Sequence, residues 1–234
     1  MKVDIGHYNA DPELYQKLID ELYADNPPIT LPPEYGAFFK NDLLRLFIRL
    51  ARYKFVARLI KKTDRLLEIG SGSGVGSVFL AQHCAHVTGL EVKTGEVAEA
   101  HAMNRRDNVT FIIGDLFDQP PEQVYDVVAA LDVIEHMPVP QGDKLVAAMT
   151  ARLKPDGMLV IGTPSLYSYD YQSALSKASH VKCYDQQELL ALIERHVARA
   201  LPFSMNDEMV HTGFPKMAWY YFVLGFGPKR SAVL

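Results

Sequence analysis

The spacing of apolar residues changes character near residue 65. Before it, Leu14, Leu18, Ile19 and Leu22 recur at helical intervals behind an Asp-Pro start, which predicts a helix over residues 11–24. The proline-rich run "NPPITLPPEYG", Asn26 to Gly36, ends it. A second stripe that includes Leu43, Leu46, Leu50, Tyr53, Val56 and Ile60 predicts one long amphipathic helix from about Ala37 to Ile60. Residues 1–62 therefore read as an N-terminal helical cap. Beyond them, β-rich runs at 65–69, 86–91, 109–113, 124–131 and 158–162 alternate with helical stretches near 75–84, 94–106 and 142–153. That alternation predicts an α/β, Rossmann-like, doubly wound parallel sheet over residues 63–234. A helix at 186–195 leads to two late strands, 197–203 and 218–226, which fit an antiparallel hairpin at the sheet edge. The segment from about 164 to 184 has little periodicity and reads as an insertion.

Composition narrows the picture without naming a chemistry. With 234 residues, 48% hydrophobic and 22% charged, the chain fits one globular domain with elaborations. A net charge of -4 offers nucleic acid no general attraction, and the local run Arg45, Arg49, Arg52, Lys54, Arg58, Lys61, Lys62, Arg65 reads as a solvated helix face. Cys84 and Cys183 are too far apart for a CxxC site, which argues against a disulfide framework and suits a reducing cytoplasm. The longest apolar stretch, Met217 to Gly227, is too short to span a bilayer, and the first residues lack a signal peptide's apolar core. The expectation is a cytoplasmic protein with no membrane and no nucleic-acid partner.

The chemistry enters at "LLEIGSGSGVG", Leu66 to Gly76. A strand that ends in Gly-x-Gly-x-Gly and runs into a helix lets the backbone approach a ligand closely. The dinucleotide fingerprint fails, because Val75 stands where its third glycine would be, and no Gly-Lys-Ser/Thr follows for a P-loop. Glu68, two residues before Gly70, is unwelcome beside a pyrophosphate and attractive to a cation. Glu91, at the end of the second strand, is placed to accept hydrogen bonds from ribose hydroxyls. Asp115, in "FIIGDLF", is placed to meet a purine amino group. A ligand with a ribose, an adenine, a positive charge and no phosphate satisfies all of these, and S-adenosyl-L-methionine is such a ligand.

At this point the chain resembles the class I S-adenosylmethionine-dependent methyltransferases. "LLEIGSGSG" is similar to their first motif, "GLE" to the acidic ribose position, "GDLF" to the adenine motif, "YDVVAALDVIEHMP" to the fourth-strand motif and "LKPDGMLVIGTP" to the fifth strand. The resemblance implies a seven-stranded sheet with a reversed last hairpin. It also implies cofactor contacts from Glu68, Gly70, Ser71, Gly72, Gly74, Glu91, Asp115, Leu116, Leu131 and Asp132. "RYKF" resembles an Arg-Tyr pair that holds the methionine part of the cofactor in some sugar and small-molecule methyltransferases. Arg52 and Tyr53 would fill that role, although Tyr53 also fits the apolar stripe.

Transfer to a hydroxyl needs a base, and histidine suits neutral pH. His136 follows the fourth strand at the sheet's carboxyl edge, and His180 lies in the insertion that would cover an acceptor. These two are the candidate catalytic residues; a structural hydrogen bond to loop backbone is the alternative for each. His83, His86, His101 and His196 fall away from that edge, and His7 and His211 are left as lid candidates. "DVIEH" also resembles the Glu-x-x-Glu-His metal-binding stretch of ubiquinone-biosynthesis O-methyltransferases, through Asp132, Glu135 and His136. The expectation is nonetheless that no metal is needed. Tyr167, Tyr169 and Tyr171 alternate and either line a pocket or anchor the loop. The expected partner is a small polar acceptor such as a sugar or sugar nucleotide, methylated on oxygen or possibly nitrogen, with a homodimer as an open option. Nucleic-acid methylation and a catalytically silent cofactor-binding scaffold are the alternatives; an "NPPY"-like motif for the former is missing.

Overall fold

The computed structural model describes residues 9–26, 28–120 and 124–229, so His7 lies outside the described residues. The chain divides into two compact units, Met1–Leu31 and Pro32–Leu234. In the first, helix α1 (Pro12–Asp25) starts at Asp11, whose carboxylate accepts the Leu14 N–H at 3.0 Å, with Pro12 in the first turn.

In the second unit, α2 (Pro33–Asn41) and α3 (Leu43–Ala57) stand where the apolar stripe predicts one helix. Asp42 parts them: its φ of -155° leaves the helical region, its N–H closes α2 on the Phe38 carbonyl, and its carboxylate caps α3 by accepting the Arg45 N–H. Apolar spacing carries no sign of the break, because a one-residue link leaves the stripe nearly in phase. Both helices belong to the unit that contains the sheet, so the unit boundary falls at Pro32 where the sequence suggests residue 62. The reason is packing: Ala51, Tyr53 and Val56 of α3 are buried in one core with Leu66, Val87 and Phe222.

The strands are β1 (Arg65–Ile69), β2 (His86–Glu91), β3 (Val109–Ile113), β4 (Tyr125–Leu131), β5 (Leu153–Pro164), β6 (Val197–Asn206), β7 (Met209–His211) and β8 (Tyr220–Pro228). They form a sheet in the order β3-β2-β1-β4-β5-β8-β6-β7, parallel through β5, with β8 antiparallel to both β5 and β6. The expected antiparallel end of the sheet is present, but among the described residues the strands number eight, not seven. The extra one, β7, exists because β6 runs on to Asn206, turns at Asp207 with φ 48°, and pairs back through Ser204–Asn206.

Helices α4 (Val75–Leu80) and α5 (Thr94–Met103) cover one face with α3; α6 (Val139–Thr150) and α8 (Gln186–Glu194) cover the other. Burial on both faces is why Val127 to Leu131 of β4 are apolar and buried without interruption. Strand order reverses between β1 and β4, and in doubly wound sheets a ligand crevice opens at the carboxyl ends of the strands there.

Candidate active site

The turn after β1 is built from glycine because nothing else fits. Gly70 and Gly74 have φ of 70° and 80°, and a Cβ on them would lie 2.5 Å from Val133 Cγ2 and 2.5 Å from the Phe111 ring. In front of the turn lies a cavity of about 1400 Å³. Its wall includes Gly70, Ser71, Gly72, Glu91, Asp115, Leu116, Leu131 and Asp132, and also Arg52 and Tyr53. Of the residues expected to hold a cofactor, Glu68 and Gly74 are not in that wall.

Glu68 is buried, with 1% of its surface exposed, and accepts the Ser77 hydroxyl of α4. Burial pushes its carboxyl up to about 7, against the hydrogen bonds from Ser77 and Tyr53 that lower it. Glu91 is held open to the cavity: one carboxylate oxygen accepts the Gly72 N–H and the other the Lys93 N–H, each at 3.0 Å. Asp115 accepts the Phe117 N–H at 2.9 Å.

Opposite the turn, Asp132 adopts φ 59° at the end of β4, and its N–H is held by the Gly162 carbonyl at 2.9 Å. Its carboxylate pairs with Arg52, whose guanidinium lies 4.1 Å above the Tyr220 ring. Arg49 pairs with Glu34. The basic run is thus not a uniformly solvated face: α3 turns Arg49 and Arg52 toward the cavity, where the carboxylates of α2 and β4 receive them. Arg52 Nε, Ser71 Oγ and Ser73 Oγ are buried without a hydrogen-bond partner among the described residues. Unused polar capacity around a close-approach glycine turn fits a polar ligand such as S-adenosylmethionine.

A second cluster lines the same cavity. The turn after β4 carries Glu135, fully buried, and His136. The segment after α7 (Ala174–Ser179) brings His180 beside them: the Glu135 carbonyl accepts the N–H of Val181 at 2.7 Å and of Lys182 at 2.9 Å. The His136 and His180 rings stand at 74° with centroids 5.1 Å apart, and a side-chain atom from each of Glu135, His136 and His180 falls within 4.8 Å of the others. His136 Nδ1 lies 2.9 Å from the Ser179 carbonyl. A carbonyl only accepts, so this nitrogen carries the hydrogen and the neutral ring's lone pair sits on Nε2. Glu135 accepts the Thr163 hydroxyl at 2.9 Å through one oxygen, while its other oxygen and His180 Nδ1 are buried and unpartnered among the described residues. Burial raises the Glu135 carboxyl to about 8, with the Asp132 charge adding to it, and burial lowers His180, helped by His136.

The other described histidines are engaged elsewhere: His86 with Thr110, His196 with Asp143 and His211 with Asn206, while the His83 and His101 rings lie beside those of Phe79 and Phe111. Of the three alternating tyrosines only Tyr171 lines the cavity. Sequence reasoning overlooks Tyr220 and Arg49. Tyr220 sits in a strand that reads as core, and Arg49 meets a partner 15 residues away with no motif to mark the pair.

Residues 66–157 match the family model described as a methyltransferase domain. Over 120 residues the chain is 30% identical to a ubiquinone biosynthesis O-methyltransferase of Coxiella burnetii, an alignment covering 50% of each protein. The chain thus matches about half the length of these curated relatives. Among solved structures, a possible histamine N-methyltransferase of Thermotoga maritima superposes with a TM-score of 0.65 at 17% identity, covering 83% of this chain and 95% of that one. The N-methyltransferase NodS of Bradyrhizobium japonicum, solved with S-adenosylhomocysteine, gives 0.56 at 17%, covering 92% and 98%. Fold, glycine turn and family match together point to a methyltransferase domain of the doubly wound type that takes a nucleoside cofactor. The match over residues 66–157, less than half of the chain, and the shared fold support a class I S-adenosylmethionine-dependent methyltransferase with S-adenosylmethionine as its cofactor.

Proposed function

We propose that this protein transfers a methyl group from S-adenosylmethionine to a hydroxyl of a small-molecule acceptor, with His180 as general base and His136 beside it. The observation that carries this reading is the His136–His180 pair on the same cavity wall as the glycine turn. Gly70, Ser71 and Gly72 would give the cofactor room, Glu91 would accept its ribose hydroxyls, Asp115 and Leu116 would flank its adenine, and Arg52 would face its methionine end. Bound there, the cofactor supplies an electrophilic methyl on a positively charged sulfur. Burial and the neighbouring His136 keep His180 neutral near pH 7, so the ring is ready to take the acceptor's proton. The tie from Ser179 to His136 Nδ1 leaves Nε2 as that ring's acceptor for a substrate hydroxyl.

Labelled S-adenosylmethionine offered with a panel of hydroxyl and amine acceptors tests the reading. His180→Ala should lower turnover by roughly 10²- to 10⁴-fold with cofactor affinity unchanged. The pH profile should rise to a plateau with a midpoint below the ordinary histidine value of about 6.5. Wild-type protein that binds cofactor and methylates nothing would favour the scaffold alternative instead.

The convergence of Glu135, His136 and His180 supports a second reading, a divalent cation that orients the acceptor. Asp132, the first residue of the resembling metal stretch, is tied to Arg52, and His180 stands in the cluster instead. Two imidazoles and a carboxylate suit zinc-like ions better than magnesium. Full activity after exhaustive chelation supports the base reading, and loss restored by added zinc or magnesium supports the metal.

A further inference from the structure

We infer that Tyr220 reads the amino-acid end of the cofactor, its hydroxyl donating to the carboxylate there, so that the site tells the whole cofactor from its truncated nucleoside; this rests on the methyltransferase reading above. Tyr220 opens β8 and pairs with Pro164, the last residue of β5, which sets its ring at the carboxyl edge of the sheet. It lines the cavity while only 2% exposed. Its hydroxyl is packed against the end of β4 and β5: a Cβ on Gly162 would lie 2.5 Å from that oxygen, and the Asp132 amide faces it. The same amide donates to the Gly162 carbonyl. An N–H can only donate, so the Tyr220 hydroxyl hydrogen is left without an acceptor among the described residues. Burial, with the Asp132 charge adding to it, holds this hydroxyl well above the ordinary tyrosine value, so it stays a donor.

Arg52 makes the same demand from the other side of the ring. Its guanidinium lies 4.1 Å above the Tyr220 centroid and gives one nitrogen to Asp132, while its Nε is buried and unpartnered among the described residues. Two buried donors without acceptors, one neutral and one on a cation, thus share one part of the wall. A carboxylate has two acceptor oxygens and the charge that suits this pair. The Asp132 carboxylate beside them suits an ammonium, and a carboxylate with an ammonium on the next atom is an α-amino acid. S-adenosylmethionine ends in that group, and a nucleoside cut back to the sulfur lacks it. A phenylalanine at 220 would support the guanidinium as well as tyrosine does, so packing accounts for the ring and leaves the hydroxyl over.

Titration calorimetry with S-adenosylhomocysteine and methylthioadenosine decides this, because the second keeps adenine, ribose and sulfur and has no amino acid. Tyr220→Phe should weaken S-adenosylhomocysteine by about tenfold, the size of one lost hydrogen bond to a charged group, and leave methylthioadenosine within about twofold. Tyr221→Phe is the control: the next residue of β8 packs in the opposite core and bonds Ser165, and its loss should not change the preference between the two ligands. The wild-type protein supplies an arm that needs no variant. S-adenosylhomocysteine with its carboxylate converted to the amide should bind about tenfold or more weaker than the acid. A preference that Tyr220→Phe changes less than about threefold, one that Tyr221→Phe lowers equally, or an amide that binds as well as the acid overturns the inference and leaves the methyltransferase reading intact. Wild-type protein that binds neither nucleoside overturns the methyltransferase reading itself.

Discussion

Glu68 is a carboxyl buried away from bulk solvent. Alternation along β1 places it on the face of Leu66, toward α4 and the Ser77 hydroxyl, while Ile69 reaches the cavity wall. The acid before the glycines is legible from the sequence, and so is its oddity; its partner is not, because Ser77 looks like any helix residue. Its consequence is a pH dependence. The folded carboxyl titrates at about 7, above the unfolded value. As pH rises the unfolded chain therefore loses its proton first, so this contribution to stability is whole below about pH 4 and is lost as pH climbs through 7. Glu135, raised to about 8, adds to the same trend. Glu68→Gln should keep the Ser77 hydrogen bond and remove this penalty. In chemical denaturation the variant should match wild type near pH 4 and exceed it at pH 8 by on the order of 3 kcal/mol; equal stability at both would refute the assignment.

At the scale of elements, local and distant causes separate cleanly. Strands β1, β2 and β3 lie where the sequence pattern places them; β1 and β2 are buried along nearly their whole length between neighbours, while β3 at the sheet edge buries only Val109 and Phe111. The break between α2 and α3 is local too, yet hidden, since one aspartate does the work by ending one helix and capping the next. Asp42→Ala should lower unfolding free energy by about 1 kcal/mol, read from denaturation midpoints, as a lost N-cap does; an unchanged or raised midpoint would mean the two helices fuse at no cost. The insertion is different. Its turn over Leu166–Tyr171 and its short helix α7 leave no strong periodic mark, because their anchors lie far off: Ser165 bonds the Tyr221 hydroxyl, and Glu135 takes the amides after His180.

Across the whole molecule, the cavity wall joins α3, the glycine turn, the ends of the central strands, the insertion and β8, so ligand binding and folding are coupled. A ligand that binds only the folded chain stabilises it by mass action, about 2.7 kcal/mol at a hundred times its Kd. S-adenosylhomocysteine at saturating concentration should raise the melting temperature in a concentration-dependent way. Glu91→Ala should shrink that rise without changing the unliganded melting temperature by a comparable amount. A rise of full size in the variant would remove Glu91 from the site. The glycine turn, its acidic followers and the order of the strands are short-range patterns: backbone conformation and burial act within a few residues, so the amino-acid order specifies them and with them the methyltransferase class. The pairing of Arg52 with Asp132, its stacking over Tyr220, and the meeting of His180 with Glu135 and His136 join residues far apart in the chain. Such contacts depend on how helices and strands pack, which no local pattern encodes, and so they emerge from the folded arrangement alone.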